Sequence, residues 1–117
     1  KPEGQKEICV ACTHLDLPKG IREEQAAFID SLLCKKERLI FGGDFNASPE
    51  SPEIKYLRER YTSSSETFQN TFPNINPEVC IDYIFTRKAK TTKILSHKIL
   101  DSIPHSDHLP VLAEIRL

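Results

Sequence analysis

The sequence predicts a single mixed α/β (α+β) unit, and three observations lead to that prediction. Strand-like apolar runs at residues 7–13 and 38–43 lie on either side of residues 21–33, whose apolar side chains recur at helical spacing. Further strand-like runs follow from residue 80 onwards. A chain of 117 residues with ordinary apolar content can bury one core, so we expect one domain at most.

The first three elements alternate between strand and helix. The strand at residues 7–13 is apolar on both faces, which is typical of a central strand covered on both sides. The helix at residues 21–33 leads into the strand at residues 38–43. Its spacing predicts that Ile21, Phe28, Ile29, Leu32 and Leu33 face the core and that Arg22, Glu23, Glu24 and Asp30 face water.

The second half of the chain begins with a short helix. Ser51 followed by Pro52 is a good N-cap and first-turn pair, which predicts a helix over residues 52–60. Residues 62–79 are rich in Ser, Thr, Asn and Pro and predict a long surface loop, of a length that is usually functional. Three strands are predicted after it, at residues 80–86, 91–100 and 110–117, the last with one wetter face.

Charge and hydropathy limit the classes of function. The 16 basic and 17 acidic residues nearly balance, so no overall basic field drives nonspecific binding to nucleic acid. The best local candidate for such a contact is the basic run Arg87, Lys88, Lys90 and Lys93, although such runs are more often solvated strand edges.

No apolar stretch approaches the roughly 20 residues of a membrane span, which predicts a soluble protein. Because the chain begins at Lys1, we expect the native amino terminus and any signal to lie outside it, so the localisation is undetermined.

Four cysteines raise the question of metal or redox chemistry. Cys9 and Cys12 have C-x-x-C spacing, but Cys34 and Cys80 are isolated, so the second pair of a structural zinc site is absent. On an extended strand the sulfurs of Cys9 and Cys12 point to opposite faces. Small buried hydrophobic residues are the favoured interpretation, and a metal or redox protein is the weaker alternative.

Polar side chains stand where the predicted strands meet loops, in four separate segments. They are His14 after the first strand, Asp44 and Asn46 after the second, Asp82 inside an apolar strand, and Asp107 with His108 before the last strand. An unpaired carboxylate at position 82 would be costly to bury. Each residue alone has an ordinary explanation, such as an Asx turn or a surface histidine. Their occurrence together indicates a site on a rigid sheet edge.

The strings around these residues resemble known motifs. "THLD" at 13–16, "GGDFNASPES" at 42–51, "IDYIF" at 81–85 and "SDHLPV" at 106–111 resemble, in order and spacing, those of the endonuclease/exonuclease/phosphatase superfamily. Its members are metal-dependent phosphodiesterases and phosphomonoesterases, among them pancreatic deoxyribonuclease, abasic-site endonucleases, neutral sphingomyelinases and inositol polyphosphate 5-phosphatases. The resemblance implies one half of a four-layer α/β/β/α sandwich, with a mixed, mainly antiparallel sheet and helices on one face.

The resemblance also implies that residues 1–117 are the carboxy-terminal half of the superfamily's domain and that the amino-terminal half is absent. That half supplies an Asn and the Glu that is the principal magnesium ligand, and neither Glu3 nor Glu7 resembles it. We therefore expect the full-length parent to be a Mg²⁺ (or Mn²⁺) dependent phosphoric ester hydrolase and this fragment to lack activity alone.

The resemblance assigns a role to each candidate residue. Asp44 orients or deprotonates the attacking water, Asn46 fixes that geometry and contacts the phosphate, and His108 donates to a phosphoryl oxygen with Asp82 as its partner. Asp107 and Asp44 are the candidate metal ligands. His14 bonds the phosphate or assists the leaving group, and abasic-site endonucleases lack this histidine. His97 and His105 lie outside the motifs and are predicted to be structural or surface residues.

The implied partner is a phosphoester substrate: a nucleic acid, a phospholipid or a small phosphate ester. Loop residues 62–79, with Phe68 and Phe72, are expected to contribute to that choice, although a core role for Phe72 is at least as compatible with the sequence. The alternative function is a noncatalytic phosphate-binding or partner-binding module that retains the fold. Because half a sandwich exposes an apolar sheet face, self-association through that face is also predicted.

Overall fold

The computed structural model describes residue 4, residues 6–101 and residues 105–117. This part of the chain contains two helices and six strands, and the strands form two sheets. In chain order they are β1 (Cys9–His14), α1 (Lys19–Leu33), β2 (Leu39–Asp44), α2 (Pro52–Arg60), β3 (Tyr61–Ser63), β4 (Asp82–Arg87), β5 (Lys93–Ile99) and β6 (Val111–Arg116). The mixed α/β (α+β) class predicted from the sequence is confirmed. No helix in these described ranges is long and apolar enough to cross a membrane.

The larger sheet has the strand order β1-β2-β4-β3. β1 runs parallel to β2, while β4 is antiparallel to both of its neighbours. β5 and β6 form a separate antiparallel pair. The short strand β3 takes up the first two residues of the loop predicted over residues 62–79, and an isolated bridge joins Phe72 to Val79 within that loop, so the segment is more ordered than predicted.

An aromatic cluster forms the core beneath the larger sheet. Phe41 and Phe85 stack with their ring centroids 5.2 Å apart, and Phe45 meets Phe85 edge to face at 5.5 Å. Phe45 is fully buried although it lies directly after β2. Its burial anchors the end of that strand, so the polar residues on either side of Phe45 are held at a fixed place beside the core.

The face that α1 buries differs from the prediction. Ala26 is buried, and Ile29 and Leu33 pack against the core. Phe28, which the spacing predicts to be buried, is 63% exposed. Ile21 and Leu32 are exposed as well, so the prediction is wrong for these three residues.

Two charged residues of α1 face inward instead. Arg22 Nε donates to Oε1 of the fully buried Glu53 in α2 at 2.8 Å. Asp30 accepts hydrogen bonds from the hydroxyls of Tyr61 at 2.7 Å and Tyr56 at 3.1 Å. The prediction that Arg22 and Asp30 face water is wrong because buried polar groups on α2 and β3 need partners, which apolar spacing does not reveal. Glu23 and Glu24 are exposed as predicted.

β1 is covered on one face, not on both as the sequence predicts. Cys9 and Ala11 pack against the core, whereas Ile8, Val10 and Cys12 alternate with them and are exposed, Val10 by 74%. Among the described strands, β1 also lies at the edge of its sheet. The fold thus leaves a strand edge and an apolar face open at the same place.

The cysteines are free thiols that the structure places in different environments. Cys80 is buried as predicted, and burial raises the pKa of its thiol to about 11. Cys12 and Cys34 are exposed, so the prediction of small buried residues is wrong for them. No cysteine belongs to a metal-ligand cluster within the described part of the chain.

Candidate active site

Three of the candidate side chains form one row across three neighbouring strands. In the β1–β2 register His14 lies opposite Asp44, and in the β2–β4 register Asp44 lies opposite Asp82. His14 Nε2 is 3.4 Å from Asp44 Oδ2. Residues directly opposite each other on neighbouring strands project to the same face of a sheet, so the sheet register itself brings these three residues together.

His108 joins the row from the loop before β6. Its Nδ1 lies 2.9 Å from Asp82 Oδ2, and its Nε2 lies 3.5 Å from Asp44 Oδ2. A carboxylate can only accept, so Nδ1 carries the hydrogen and donates it to Asp82. The contact between Asp82 and His108 that the sequence predicts is therefore present.

Asn46 supports Asp44 through the backbone. The Asn46 N–H donates to Asp44 Oδ1 at 2.9 Å, and the Asn46 side-chain Nδ2 donates to the carbonyl of Leu15 at 2.7 Å. Asn46 has a φ of 47°, a left-handed conformation that asparagine tolerates better than most residues. Asn46 therefore ties the turn after β2 to the segment that follows His14.

The other sequence candidates lie around this cluster. Asp107 is exposed beside His108. His105 is exposed, and His97 lies elsewhere, with its Nδ1 2.7 Å from Ser64 Oγ between the two sheets. The prediction that His97 and His105 are structural or surface residues agrees with these positions.

Two further residues lie near His108: Phe72, which the sequence offers as a substrate contact or a core residue, and Thr71, which it does not single out. The ring of Phe72 packs against the His108 ring, with centroids 4.8 Å apart. Thr71 is buried, and its hydroxyl donates to Asp82 Oδ2 at 2.6 Å. No local pattern in "QNTFPN" indicates either contact, because both depend on how residues 71–79 fold back beside β4.

The basic run begins at the last residue of β4, Arg87, whose side chain is hydrogen-bonded within the fold. The Arg87 guanidinium donates to the carbonyls of Leu33, Cys34 and Lys36 at 2.8, 2.6 and 2.9 Å. It thereby caps carbonyls at the end of α1 and in the turn that follows. Lys88 Nζ donates to the carbonyl of Glu59 at 3.0 Å. Lys88, Lys90 and Lys93 are exposed, as the solvated interpretation predicts, whereas Arg87 is half-buried and is not a free nucleic-acid contact.

Negative charge surrounds His108. Partial burial acts to lower the pKa of His108, but the hydrogen bond to Asp82 and the charges of Asp82, Asp44 and Asp107 outweigh burial, so its pKa is raised. Partial burial alone lowers the pKa of His97. The two histidines thus depart in opposite directions from the ordinary value of about 6.5.

We expect NMR titration of the chain to separate these two histidines, with His108 titrating at the higher pH. Asp82→Asn should lower the pKa of His108 and leave that of His97 unchanged, because His97 has no contact with Asp82. A pKa for His108 below that of His97 would contradict the geometry of the cluster.

The same shifts give opposite contributions to stability. His108, with a raised pKa, stabilises the fold fully at pH values below its unfolded pKa, and this contribution is lost as the pH rises through the folded pKa. His97, with a lowered pKa, contributes to the stability of the fold at pH values above its unfolded pKa, and this contribution is lost as the pH falls through the folded pKa. Urea unfolding of the His108→Gln and His97→Gln variants across pH 5 to about 8 measures the two slopes separately.

The donor atoms of the cluster suit a divalent cation. Asp44, Asp82 and His108 each offer one ligand atom within 4.8 Å of the others. Asp82 Oδ2 already accepts from both Thr71 and His108, and Asp44 Oδ1 accepts from the Asn46 N–H, so a cation would bind beside existing hydrogen bonds. Hard divalent ions such as Mg²⁺ prefer six oxygen ligands, so a complete site needs further oxygens beyond this cluster.

This chain is similar to one known protein family and to several solved structures. A family model described as "Endonuclease/Exonuclease/phosphatase family" matches residues 4–108. Among solved structures, a conserved protein of unknown function from Enterococcus faecalis V583 aligns with a TM-score of 0.79 and 24% identity, covering 98% of this chain and 52% of that one.

Two further structures align over similar portions. An endonuclease/exonuclease/phosphatase protein from Bacteroides vulgatus gives a TM-score of 0.76 at 23% identity, covering 89% of this chain and 47% of that one. The human Nocturnin catalytic domain, solved with a bound sulfate anion, gives a TM-score of 0.71 at 21% identity, covering 97% of this chain and 48% of that one. No curated protein sequence matches the chain. The chain spans about half the length of these solved structures.

Proposed function

Because the chain belongs to the endonuclease/exonuclease/phosphatase family, we propose that it carries one side of the active site of a metal-dependent phosphoester hydrolase. The observation that carries this proposal is the convergence of His14, Asp44, Asp82 and His108 within hydrogen-bonding or near-contact distances. Four ionisable side chains from three strands and one loop meet at a single point. A purely structural role does not require all four there.

Each side chain is given a role that its contacts support. Asp44 orients or deprotonates the water that attacks phosphorus, since its carboxylate is held by the N–H of Asn46. Asp82 fixes the hydrogen of His108 on Nδ1, and Nε2, which lies 3.5 Å from Asp44 Oδ2, would donate to a phosphoryl oxygen when the ring is charged. His14, whose side chain is 72% exposed, is assigned to contact with the phosphate or the leaving oxygen.

Asn46 is assigned a narrower role than the resemblance implies. Its Nδ2 donates to the carbonyl of Leu15, so this group is engaged within the protein. We assign Asn46 to holding Asp44 and the segment after His14, rather than to a contact with the phosphate.

The proposed cofactor is Mg²⁺ or Mn²⁺, which Asp44 would hold on this side, with the exposed Asp107, outside the Asp44–Asp82–His108 cluster, as a candidate further ligand. When bound, such an ion neutralises charge on the phosphoryl oxygens. The remaining oxygen ligands, among them the family's principal Glu, would come from the amino-terminal half of the domain. We accordingly propose that residues 1–117 are the carboxy-terminal half of that domain.

The exposed apolar surface supports the proposal of a missing half. Ile8 and Val10 project from the uncovered face of β1 and are exposed, and exposed apolar side chains on a sheet face usually have a covering partner. The open edge of β1 offers unpaired backbone groups beside them.

We expect the isolated chain to self-associate through this surface. Light scattering at increasing concentration should show a mass above that of a 13.3 kDa monomer. Val10→Glu should reduce the association because it places a charge on the exposed face of β1. Thr67→Glu adds the same charge to an exposed loop residue and serves as the control. A monomer at all concentrations would exclude self-association.

The test of the proposed function is a hydrolysis screen of the protein that carries both halves of the domain. DNA, sphingomyelin, inositol phosphates and nucleotides are compared with and without Mg²⁺ or Mn²⁺. We expect metal-dependent release of product from at least one class and weak or no turnover by residues 1–117 alone. Phosphate-ester binding without turnover by the complete protein would refute the hydrolase and support the noncatalytic alternative.

A further inference from the structure

Thr71 is hydrogen-bonded to Asp82 and to Leu109, the residue that follows His108. Its hydroxyl donates to Asp82 Oδ2 at 2.6 Å. Its carbonyl accepts the N–H of Leu109, the residue after His108, at 2.8 Å. One residue thus connects the strand that carries Asp82 with the loop that carries His108.

Thr71 is itself held rigidly. It is 1% exposed, and its N–H donates to the carbonyl of Val79 at 2.8 Å. The Thr71 hydroxyl oxygen also accepts the N–H of Ile81 at 3.2 Å. With its hydroxyl, N–H and carbonyl all engaged, the side chain has a single orientation available to it.

The Thr71 hydroxyl and the His108 ring donate to the same carboxylate oxygen. Asp82 Oδ2 accepts from Thr71 Oγ1 and from His108 Nδ1. A carboxylate with one donor can still turn about its terminal torsion, which is broad and roughly two-fold. Two donors from different directions fix both its plane and the oxygen that faces the imidazole. The orientation of the imidazole in turn decides where Nε2 points.

We propose that Thr71 is a positioning residue of the active site, which holds the Asp82 carboxylate so that His108 keeps its hydrogen on Nδ1 and presents Nε2 to the phosphoryl group. The catalytic part of this inference rests on the proposed function, whereas the hydrogen-bonding part is a property of the chain itself. Segment 62–79 thereby contributes a buried threonine that contacts Asp82.

The hydrogen-bonding part is tested by nitrogen NMR of the imidazole rings in residues 1–117. At a pH where His108 is neutral, its hydrogen should reside on Nδ1 in the wild-type chain. Thr71→Val keeps the side-chain volume but removes the hydroxyl, and it should move a measurable fraction of the hydrogen to Nε2. Thr71→Ser should restore the wild-type signature. Thr67→Val, at an exposed threonine of the same loop, is the matched control.

The outcome is decisive in either direction. A folded Thr71→Val chain with the wild-type tautomer of His108 would overturn the proposal. If that variant does not fold, the wild-type chain provides the test, because a Thr71 hydroxyl hydrogen bonded to Asp82 should exchange slowly with water. Exchange as fast as that of the exposed Thr67 hydroxyl would overturn the proposal as well.

The catalytic part is tested in the protein that carries both halves. By analogy with groups that orient metal ligands, Thr71→Val should lower kcat on the order of 10-fold to 100-fold and change KM little. Thr71→Ser should stay close to wild type, and Thr71→Val should have little further effect in an Asp82→Asn background. Loss through KM alone, or full additivity with Asp82→Asn, would overturn the positioning role. Absence of hydrolysis by the wild-type protein would refute the proposed function and leave the tautomer result standing.

Discussion

Replacing Gly43 with alanine is expected to destabilise the chain severely. Gly43 has a φ of 147° and lies in β2, and a Cβ built on it would stand 1.8 Å from the carbonyl oxygen of Thr13 in β1. Backbone strain costs on the order of 1–3 kcal/mol, and an overlap with main-chain atoms adds about 1–3 kcal/mol by forcing β1 and β2 apart. A loss of about 3 kcal/mol or more is a large part of the roughly 5–15 kcal/mol that stabilises a typical domain.

Urea or thermal unfolding measures this loss, and Gly20→Ala is the matched control. Gly20 lies in the first turn of α1, and a Cβ there meets nothing within 4 Å. Its replacement should be neutral or stabilise the chain by a few tenths of a kcal/mol, since alanine restricts the unfolded chain. Equal midpoints for the two variants would show that β1 does not approach β2 as closely as described.

The two glycines before Asp44 explain how a strand can lead directly into the polar cluster. A Cβ at Gly42 would lie 2.6 Å from the carbonyl oxygen of Tyr83 in β4. Both neighbours of β2 thus approach its backbone where a side chain would otherwise stand, one on each side. This close approach occurs one and two residues before the row formed by His14, Asp44 and Asp82. The glycines and the cluster are therefore parts of one local structure.

The sequence predicted this row for a physical reason. Polar side chains at strand ends meet at a sheet edge, so His14, Asp44 and Asp82 could be expected together before their strand order was known. The helix at Pro52–Arg60 begins and ends where predicted, because Pro52 defines its first turn.

Contacts between elements were harder to predict. The inward orientation of Arg22 depends on Glu53, which lies 31 residues away in α2, and Thr71 gains its role from Asp82, 11 residues away across a folded loop. The exposed face of β1 could not be predicted either. The apolar pattern of a strand shows that both faces suit burial, but not whether the layer that covers the second face belongs to the same chain.

Replacing His108 with glutamine is expected to remove most of the activity of the protein that carries both halves, without unfolding it. Positioned proton donors contribute about 10²-fold to 10⁴-fold to catalysis, and His108 is the residue whose ring spans Asp82 and Asp44. The loss should appear in kcat. His105→Gln is the matched control, because His105 is an exposed histidine three positions earlier in the same loop and should retain activity within about twofold.

A second substitution tests whether His108 and Asp82 act as a unit. Asp82→Asn should lower kcat because the amide either loses the hydrogen bond from Nδ1 or presents its NH₂ to the ring and favours the wrong tautomer. Residues that act together are strongly non-additive, so the double variant His108→Gln/Asp82→Asn should be little worse than His108→Gln alone. Multiplied losses in the double variant would mean that the two residues contribute separately. The carboxylate would then serve the fold or a metal ion, and His108 would have to acquire its orientation from Phe72 and the loop before β6.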